Sequence, residues 1–135
     1  MTTSRSELEV LDDATCWELL RSHPHRLGRI AFVDEGHISV LPVNYRVDDV
    51  GVLYRSALGT VLAAIPDGTS VGFEVDQVDP TWREGWSVLV EGRLETLEGD
   101  EREIAAQSGL EVWAPGERSC FRRVRPASIT GRRIR

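Results

Sequence analysis

The segment R-S-x-x-G-T at residues 55–60 contains the residue types that bind phosphate. It follows a strand-like stretch and leads into a short apolar stretch typical of a helix. Arg55 offers a planar charged fork, Ser56 and Thr60 offer hydroxyl groups, and Gly59 lets the backbone approach a ligand closely. Free amides at the beginning of the helix would add donors. The segment predicts an anion site, although such loops also occur in proteins that bind nothing.

The chain contains no lysine, and all sixteen of its basic residues are arginine. It also lacks a G-x-S-x-G elbow, a P-loop, an H-E-x-x-H motif and a dinucleotide-binding fingerprint. These absences leave no constellation of residues for acid–base or nucleophilic catalysis, and no side chain is assigned as catalytic.

The three histidines are weak candidates for metal ligands. His23 and His25 flank Pro24 without an acidic partner nearby in the sequence. A metal pair would need further ligands, so we expect both histidines to be exposed in a helix-to-strand loop. His37 falls in a predicted hairpin and is expected at the surface. No metal site is predicted.

Two sets of charged residues, an acidic pair and a C-terminal run of arginines, allow alternative interpretations. Glu74 and Asp76 share one face of a predicted strand and could bind a cation, but we favour a solvated face or partners for arginines. The C-terminal run RRVRPASITGRRIR holds six arginines. It could contact nucleic acid, but the rest of the chain is acidic. We favour arginines that face solvent, an acidic neighbour or an anionic ligand.

Composition restricts the class of protein. A chain of 135 residues with 41% hydrophobic and 28% charged residues is expected to form one globular domain. Its net charge of −6 disfavours binding to nucleic acid and to anionic membranes. Cys16 and Cys120 are the only cysteines, and we interpret them as thiols in a reducing compartment. Neither a secretory signal nor a membrane-spanning run is seen, which predicts a cytoplasmic protein.

Hydrophobic periodicity predicts the elements that would position these residues. Residues 1–10 are predicted to be a flexible tail and 11–135 a single domain. A helix over 11–21 is expected to begin at Asp12 or Asp13 and to end at His23-Pro24. Alternating patterns predict six strands: 27–33, 37–47, 52–56, 70–79, 86–97 and 120–124, with a resumed strand expected over 129–134.

Six strands with short hairpins favour a mostly antiparallel barrel or sandwich. Short helices are predicted over 58–65 and 99–108. Pro42 lies within the second strand, and because proline cannot donate to a ladder, we expect it at an edge or a bulge.

The order of six motifs resembles the pyridoxamine 5′-phosphate oxidase-like family, and more closely its small flavin-binding members of the nitroimidazole-resistance type. The motifs are GRIAF, PVNY, LYRSALGTVLAAI, VGFEVDQVD, GWSVLVEGR and ITGRRI. The resemblance covers about residues 11–134. It implies a six-stranded antiparallel split β-barrel that forms a homodimer, with flavin mononucleotide (FMN) bound between subunits.

The resemblance also implies the residues of the cofactor site. The phosphate would contact Arg55, Ser56, Gly59, Thr60 and Val61. The flavin ring would lie along the strand that holds Leu41, Pro42, Val43 and Asn44. Trp86 and Ser87 would approach the ring, and we leave open which subunit supplies them.

Val61 departs from the family pattern, because relatives commonly have lysine at this position. Losing one charge-assisted contact costs roughly 1.5–3 kcal/mol of binding free energy. This loss is expected to weaken FMN binding without abolishing it, because Arg55 remains. The first hypothesis is therefore a flavin-dependent oxidoreductase acting on a small oxidised substrate. The alternatives are the same fold with a deazaflavin or haem, for which a histidine would have to reach the cleft, and a dimeric scaffold without a cofactor.

Overall fold

The computed structural model describes residues 8–57, 59–110 and 120–135. Strands dominate the described chain. In order, the elements are β1 (Leu8–Leu11), α1 (Asp13–Ser22), β2 (Leu27–Asp34), β3 (His37–Val47), β4 (Val52–Ser56), α2 (Val61–Ala64), β5 (Ser70–Asp79), β6 (Glu84–Thr96), α3 (Gly99–Ala106) and β7 (Cys120–Ile134). None of these helices is long and apolar enough to cross a membrane.

All strands belong to one antiparallel sheet in the order β1-β7-β4-β3-β2-β5-β6, and β7 also pairs with β6. This second pairing closes the sheet into a ring, so the predicted split β-barrel is confirmed. The six predicted strands are all present, and β7 continues without interruption through the stretch where a resumed strand was expected.

A seventh strand corrects the prediction of a flexible tail over residues 1–10. Leu8 pairs with Ile134, and the register continues to Leu11 opposite Gly131. Leu8 and Val10 are exposed, so they give no clear core signal in the sequence. The strand forms because the end of β7 offers it a pairing edge. Residues 1–7 lie outside the described residues.

The longest strand pairing joins β6 to β7 and is called the seam. It contains twelve residue pairs, from Gly85–Ile134 to Thr96–Arg122, with a β-bulge between Glu91 and Gly92. The backbones approach closely at the bulge: a Cβ on Gly92 would lie 2.1 Å from the carbonyl oxygen of Arg125. Only glycine fits there without a shift of the backbone.

In contrast, β3 and β4 pair at only three positions, from Tyr45–Tyr54 to Val47–Val52. Beyond Tyr45, residues 37–44 remain paired with β2. Beyond Tyr54, residues 55–56 remain paired with β7. The two strands therefore separate, and we call the opening between residues 41–44 and residues 55–61 the fork.

Two clusters of buried side chains hold the elements together. The main cluster fills the barrel and includes Cys16 and Leu20 of α1. Asp12 caps this helix by accepting a hydrogen bond from Thr15 N at 2.8 Å, as one of the two predicted caps. The hydroxyl of Tyr45 donates to the carbonyl of Leu20 at 2.7 Å. A smaller cluster packs α3 against the outside of the sheet: Leu53, Leu97, Ala105 and Phe121.

Candidate functional site

One arm of the fork is the open edge of β3. The amide of Tyr45 donates to the carbonyl of Arg26 at 2.9 Å, so it points toward β2. Because successive amides of a strand point in opposite directions, the nitrogens of Pro42 and Asn44 face away from β2. Pro42 therefore removes no hydrogen bond from the ladder, and its predicted edge position is confirmed. Along this arm, Leu41 is half-buried, Pro42 is exposed, and Val43 and Asn44 are buried.

The other arm begins at the end of β4, where Arg55 and Ser56 point to opposite faces of the sheet. Ser56 is buried on the side of Tyr54 and the barrel interior. Its Oγ makes no hydrogen bond with any other described residue. Arg55 lies on the outer side, with its guanidinium carbon 4.9 Å from the centre of the Phe121 ring. The two side chains therefore lie on opposite faces of the sheet.

The arm continues into the turn before α2. Gly59 has a φ of +81°, a conformation that side chains disfavour. Thr60 caps the helix: its Oγ1 accepts from Ala63 N at 3.3 Å and donates to the carbonyl of Ala57 at 2.7 Å. The helix has only four residues, shorter than predicted, and Val61 is exposed at its first position.

Arg122 holds α2 from beneath. Its guanidinium donates to the carbonyls of Leu62 at 3.1 Å and Ile65 at 2.6 Å, and to Asp67 at 3.1 Å. Its side chain is only 1% exposed. These bonds satisfy carbonyls at the end of the helix that have no partner inside it. Arg122 therefore fixes the position of α2, and with it the second arm of the fork, relative to the barrel.

Arg123 of β7 is joined to β6, to α3 and to the turn between β3 and β4 through acidic residues. It forms ion pairs with Asp48 at 2.7 Å, Glu95 at 3.0 Å and Glu101. Burial alone would raise the pKa of Asp48, but hydrogen bonds from Arg123 and from the amides of Gly51 and Val50 outweigh it and lower that pKa. The expectation that C-terminal arginines face an acidic neighbour holds for Arg123. Arg122 and Arg123 are both buried, and Arg122 also faces an acidic neighbour, Asp67.

Trp86 and Ser87 lie on β6, away from the fork. Both line a cleft of about 610 Å³ that Arg132, Val78 and Asp76 also border. None of the predicted fork residues lines this cleft. One chain therefore places residues 41–44 on one arm of the fork and Arg55, Ser56, Gly59, Thr60 and Val61 on the other, and leaves the Trp86 cleft as a separate surface.

His23 corrects the prediction of an exposed histidine. It is buried, with its ring 5.9 Å from that of Trp86 in an edge-on arrangement. Its Nε2 lies 3.1 Å from the carbonyl of Asp76, and its Nδ1 lies 3.2 Å from the amide of His25. A carbonyl only accepts and an amide only donates, so these contacts fix a neutral ring protonated on Nε2. Burial lowers the pKa of His23.

The remaining candidates behave as expected of surface residues. His25 and His37 are exposed, and no cluster of metal-binding side chains is found in the described part of the chain. Arg29 bridges the carboxylates of Glu74 at 3.2 Å and Asp76 at 3.4 Å, as favoured by the sequence. Burial and the neighbouring Asp76 carboxyl raise the pKa of Glu74 to about 7, against the opposing charge of Arg29.

Two residues near the fork were not found from the sequence. Arg102 of α3 places its guanidinium carbon 5.1 Å from the centre of the Phe121 ring, the ring that Arg55 also contacts. Phe121 is the cross-strand neighbour of Arg55. The pairing register and the docking of α3 are both long-range features, so no local pattern joins these three residues.

Comparisons with known proteins agree with this architecture. A family model described as Pyridoxamine 5′-phosphate oxidase matches residues 12–133. An uncharacterized Mycobacterium tuberculosis protein is 31% identical over 136 residues, which cover 97% of this chain and 88% of that protein. The structure of the FAD binding protein from Mycobacterium smegmatis is 32% identical with a TM-score of 0.76, covering 96% of this chain and 100% of that chain.

A second solved structure extends the comparison. It is a Corynebacterium glutamicum protein named for pyridoxamine 5′-phosphate oxidase, 29% identical with a TM-score of 0.81. The alignment covers 94% of this chain and 98% of that one. The similarity therefore extends over both arms of the fork, the seam and the Trp86 cleft.

Proposed function

Because the chain belongs to the pyridoxamine 5′-phosphate oxidase family, we propose that it binds a flavin nucleotide at the fork and serves as a flavin-dependent oxidoreductase. The observation that carries this proposal is the separation of β3 from β4. The separation leaves an open strand edge opposite the Arg55–Val61 segment, and these are the two stretches that the family resemblance assigns to the flavin ring and its phosphate.

The residues at the fork fit a flavin nucleotide. Leu41 and Val43 provide apolar surface for a planar ring, and the edge of β3 that faces away from β2 would meet a polar ring edge. Ser56 supplies a buried hydroxyl without a described partner. Arg55 supplies charge for a phosphate. We propose FMN as the cofactor and test FAD beside it, because the similar Mycobacterium smegmatis protein is described as FAD-binding.

A bound flavin would supply hydride or electron transfer, and the protein would bind and orient it. The apolar side chains at the fork would exclude water from one face of the ring, and the outward edge of β3 would fix its position. Arg55 would anchor the phosphate. No proton transfer is assigned to a side chain of this protein, which agrees with the absence of a catalytic motif in the sequence.

We propose a cytoplasmic homodimer that acts on a small oxidised molecule. Ile38 and Val40 on β3 are 81% and 54% exposed, and a second copy would cover such apolar side chains. A dimer would also let Trp86 and Ser87 of one copy reach the fork of the other. The Trp86 cleft would then become the second wall of the cofactor site.

A haem in place of flavin has less support. Both ring nitrogens of His23 already have backbone partners, so this histidine cannot ligate iron without losing them. His25 and His37 are exposed. A deazaflavin and a scaffold without a cofactor remain as outcomes that the following experiment separates.

The test is a titration of the purified protein with FMN, FAD and riboflavin, followed by absorbance and flavin fluorescence. We expect saturable quenching near one flavin per chain, with FMN or FAD binding more tightly than riboflavin because riboflavin lacks phosphate. The absorbance of the protein as purified identifies haem or a deazaflavin. A colourless protein that leaves the fluorescence of all three flavins unchanged at tens of micromolar would overturn the proposal.

A further inference from the structure

We propose that Arg122 is a positioning residue of the flavin site: from beneath α2 it holds residues 59–61 of the second arm where the phosphate of FMN or FAD binds. This inference rests on the proposed function, and it assigns a role in ligand affinity to a buried residue that lies outside both arms of the fork. The carrying observation is that one guanidinium group donates to three carbonyl groups of one short segment, those of Leu62, Ala63 and Ile65.

Helix α2 cannot fix its own position on the barrel. It has four residues and none of them is buried, whereas an isolated helix needs about 12–15 residues to be even marginally stable in water. The amide of Ala64 donates to the carbonyl of Thr60 at 3.0 Å, which closes the turn but does not attach it to the sheet. Leu62 is partly buried against the main cluster, and Ile65 is buried directly after the helix. The main chain of α2 therefore depends on contacts with the barrel for its position.

Arg122 provides the polar part of these contacts. Its side chain is 1% exposed, and the pairing of β4 with β7 places it opposite Tyr54. A planar guanidinium presents its donors in a fixed arrangement. Donating to the carbonyls of Leu62 at 3.1 Å and Ile65 at 2.6 Å therefore sets both the distance and the orientation of the segment relative to β7.

Asp67 attaches the chain that leaves α2 to the seam. Its Oδ1 accepts from Arg122 at 3.1 Å and from Thr96 Oγ1 at 2.8 Å. Thr96 and Arg122 are also the last residue pair of the seam. Burial alone would raise the pKa of Asp67, but hydrogen bonds from Thr96 and the charge of Arg122 outweigh it and lower that pKa. The carboxylate is therefore ionised at neutral pH and ties the segment to both strands of the seam.

The position of α2 affects affinity through the order of the second arm. Residues 59–61 lie directly before the carbonyls that Arg122 binds. A loop that is already held in its binding conformation loses less conformational freedom when a ligand binds, so it binds more tightly than a mobile one. The first arm is held by its pairing with β2 and does not depend on Arg122. Loss of Arg122 is therefore expected to weaken binding of the phosphate and to spare binding of the ring.

The first experiment compares R122M with the wild-type protein in fluorescence titrations with FMN, FAD and riboflavin. We expect FMN and FAD to bind about tenfold more weakly, because the ligand must then order the arm, while riboflavin binds unchanged. R125M is the matched control: Arg125 lies on the same strand, is 58% exposed and bonds to Glu95, and its loss should leave the binding of all three flavins unchanged. Equal loss for riboflavin, or unchanged binding of FMN and FAD by R122M, would overturn the inference.

D67N separates positioning from simple electrostatics, and it carries the test if R122M does not fold. Asp67 is 59% exposed, so the substitution leaves the core intact. Removing a negative charge would by itself strengthen the binding of phosphate, whereas a loosened arm weakens it. We expect D67N to bind FMN about threefold more weakly and riboflavin unchanged. FMN binding by D67N that equals or exceeds that of the wild-type protein would contradict the inference.

A measurement without flavin distinguishes failure of this inference from failure of the proposed function. Amide hydrogen exchange, followed by mass spectrometry, should be faster over residues 59–66 in R122M and D67N than in the wild-type protein and R125M, with no change over residues 41–44. Unchanged exchange over residues 59–66 overturns the inference. If exchange is faster there and the wild-type protein binds no flavin, the proposed function fails and the positioning of the arm by Arg122 stands. If the wild-type protein and the variants bind FMN and FAD equally well, the inference fails and the proposed function stands.

Discussion

The seam and the fork show two opposite uses of strand pairing in one barrel. At the seam, β6 and β7 pair over twelve positions, whereas at the fork β3 and β4 pair over three and then separate. The seam satisfies the backbone of both strands and closes the sheet. At the fork the two strands separate, which leaves one strand edge and one short helix where we expect a ligand to bind. The difference indicates that the seam holds the barrel closed, and we expect the ligand to bind at the fork.

The arginines follow the same division. Arg122 and Arg123 on β7 are buried, and their guanidinium groups are held by carbonyls and carboxylates. Arg55 and Arg102 instead stack on an aromatic ring. The guanidinium groups of Arg122 and Arg123 therefore stabilise the fold, whereas Arg55 belongs to the segment at which we expect the ligand to bind. The substitutions below are expected to affect stability on one side of the molecule and affinity on the other.

The largest effect is expected from Gly92→Ala at the seam. The new Cβ would lie 2.1 Å from the carbonyl oxygen of Arg125 and 3.0 Å from Pro126 Cα. Both are backbone atoms, so the strands must move apart at the bulge. We expect a loss of about 4 kcal/mol or more in the free energy of unfolding, measured by urea denaturation.

Gly72→Ala is the matched control on a neighbouring strand. Its Cβ would meet Leu89 Cδ1 at 3.5 Å and Ala31 Cβ at 4.0 Å, which are ordinary contacts. We expect a change below about 1 kcal/mol, because glycine in a strand also has a higher entropy in the unfolded chain. Equal losses for the two variants would mean that the bulge does not determine the stability of the seam.

The next effect is expected from Arg123→Met. The substitution removes a cation that is 6% exposed and leaves Asp48 and Glu95 without it. We expect the free energy of unfolding to fall by about 3 kcal/mol. This is at the lower end for a buried ion pair because both carboxylates remain partly solvated. Arg125→Met should cost less than about 1 kcal/mol, since Arg125 is 58% exposed. Thermal unfolding of both variants at pH 7 would measure the difference, and a larger loss for Arg125→Met would contradict it.

At the fork, Val61→Lys should change affinity more than stability. Val61 is 53% exposed at the beginning of α2, so a longer side chain fits without repacking the core. One new charge-assisted contact is worth roughly 1.5 kcal/mol, which is about tenfold in the Kd for FMN. Riboflavin, which lacks phosphate, should bind unchanged. If both ligands gained equally in a fluorescence titration, the phosphate would not lie at this end of the fork.

The smallest effect is a dependence of stability on pH through His23. Because burial lowers the pKa of His23 below its ordinary value of 6.5, the unfolded chain takes up a proton before the folded one does. The stabilisation is therefore fully present above pH 6.5 and is lost as the pH falls toward the pKa of the folded state. Urea unfolding between pH 7.5 and 5 should show a steeper loss for the wild-type protein than for H23Q. H37Q, at an exposed position, should retain the wild-type slope.

The strands could be predicted from the sequence because their signal is local. Val88, Val90 and Leu94 are buried while Ser87, Leu89 and Glu91 are exposed, and this alternation is legible in the sequence of β6 alone. β1 could not be predicted, since Leu8 and Val10 are exposed and the strand depends on pairing with a segment more than a hundred residues away.

The candidate site could be predicted only in part. The assignment of residues 41–44 and 55–61 to a cofactor site rests on motif order and stays a prediction, whereas the edge position of Pro42 followed from its missing amide proton. The opposite orientations of Arg55 and Ser56 could have been derived from strand alternation. The role of Arg122 beneath α2 could not be predicted from the sequence, because it depends on which strand pairs with β4. The burial of His23 likewise depends on contacts with β5 and β6.

Pro42 is also expected to affect the solubility of this protein. Residues 37–44 form an open strand edge that carries the exposed side chains of Ile38 and Val40, and such an edge is a template on which further chains can add as strands. The nitrogen of Pro42 faces this open side and cannot donate a hydrogen bond, so a strand arriving there would find its ladder interrupted in the middle. Pro42 is therefore expected to protect this edge from the addition of further strands.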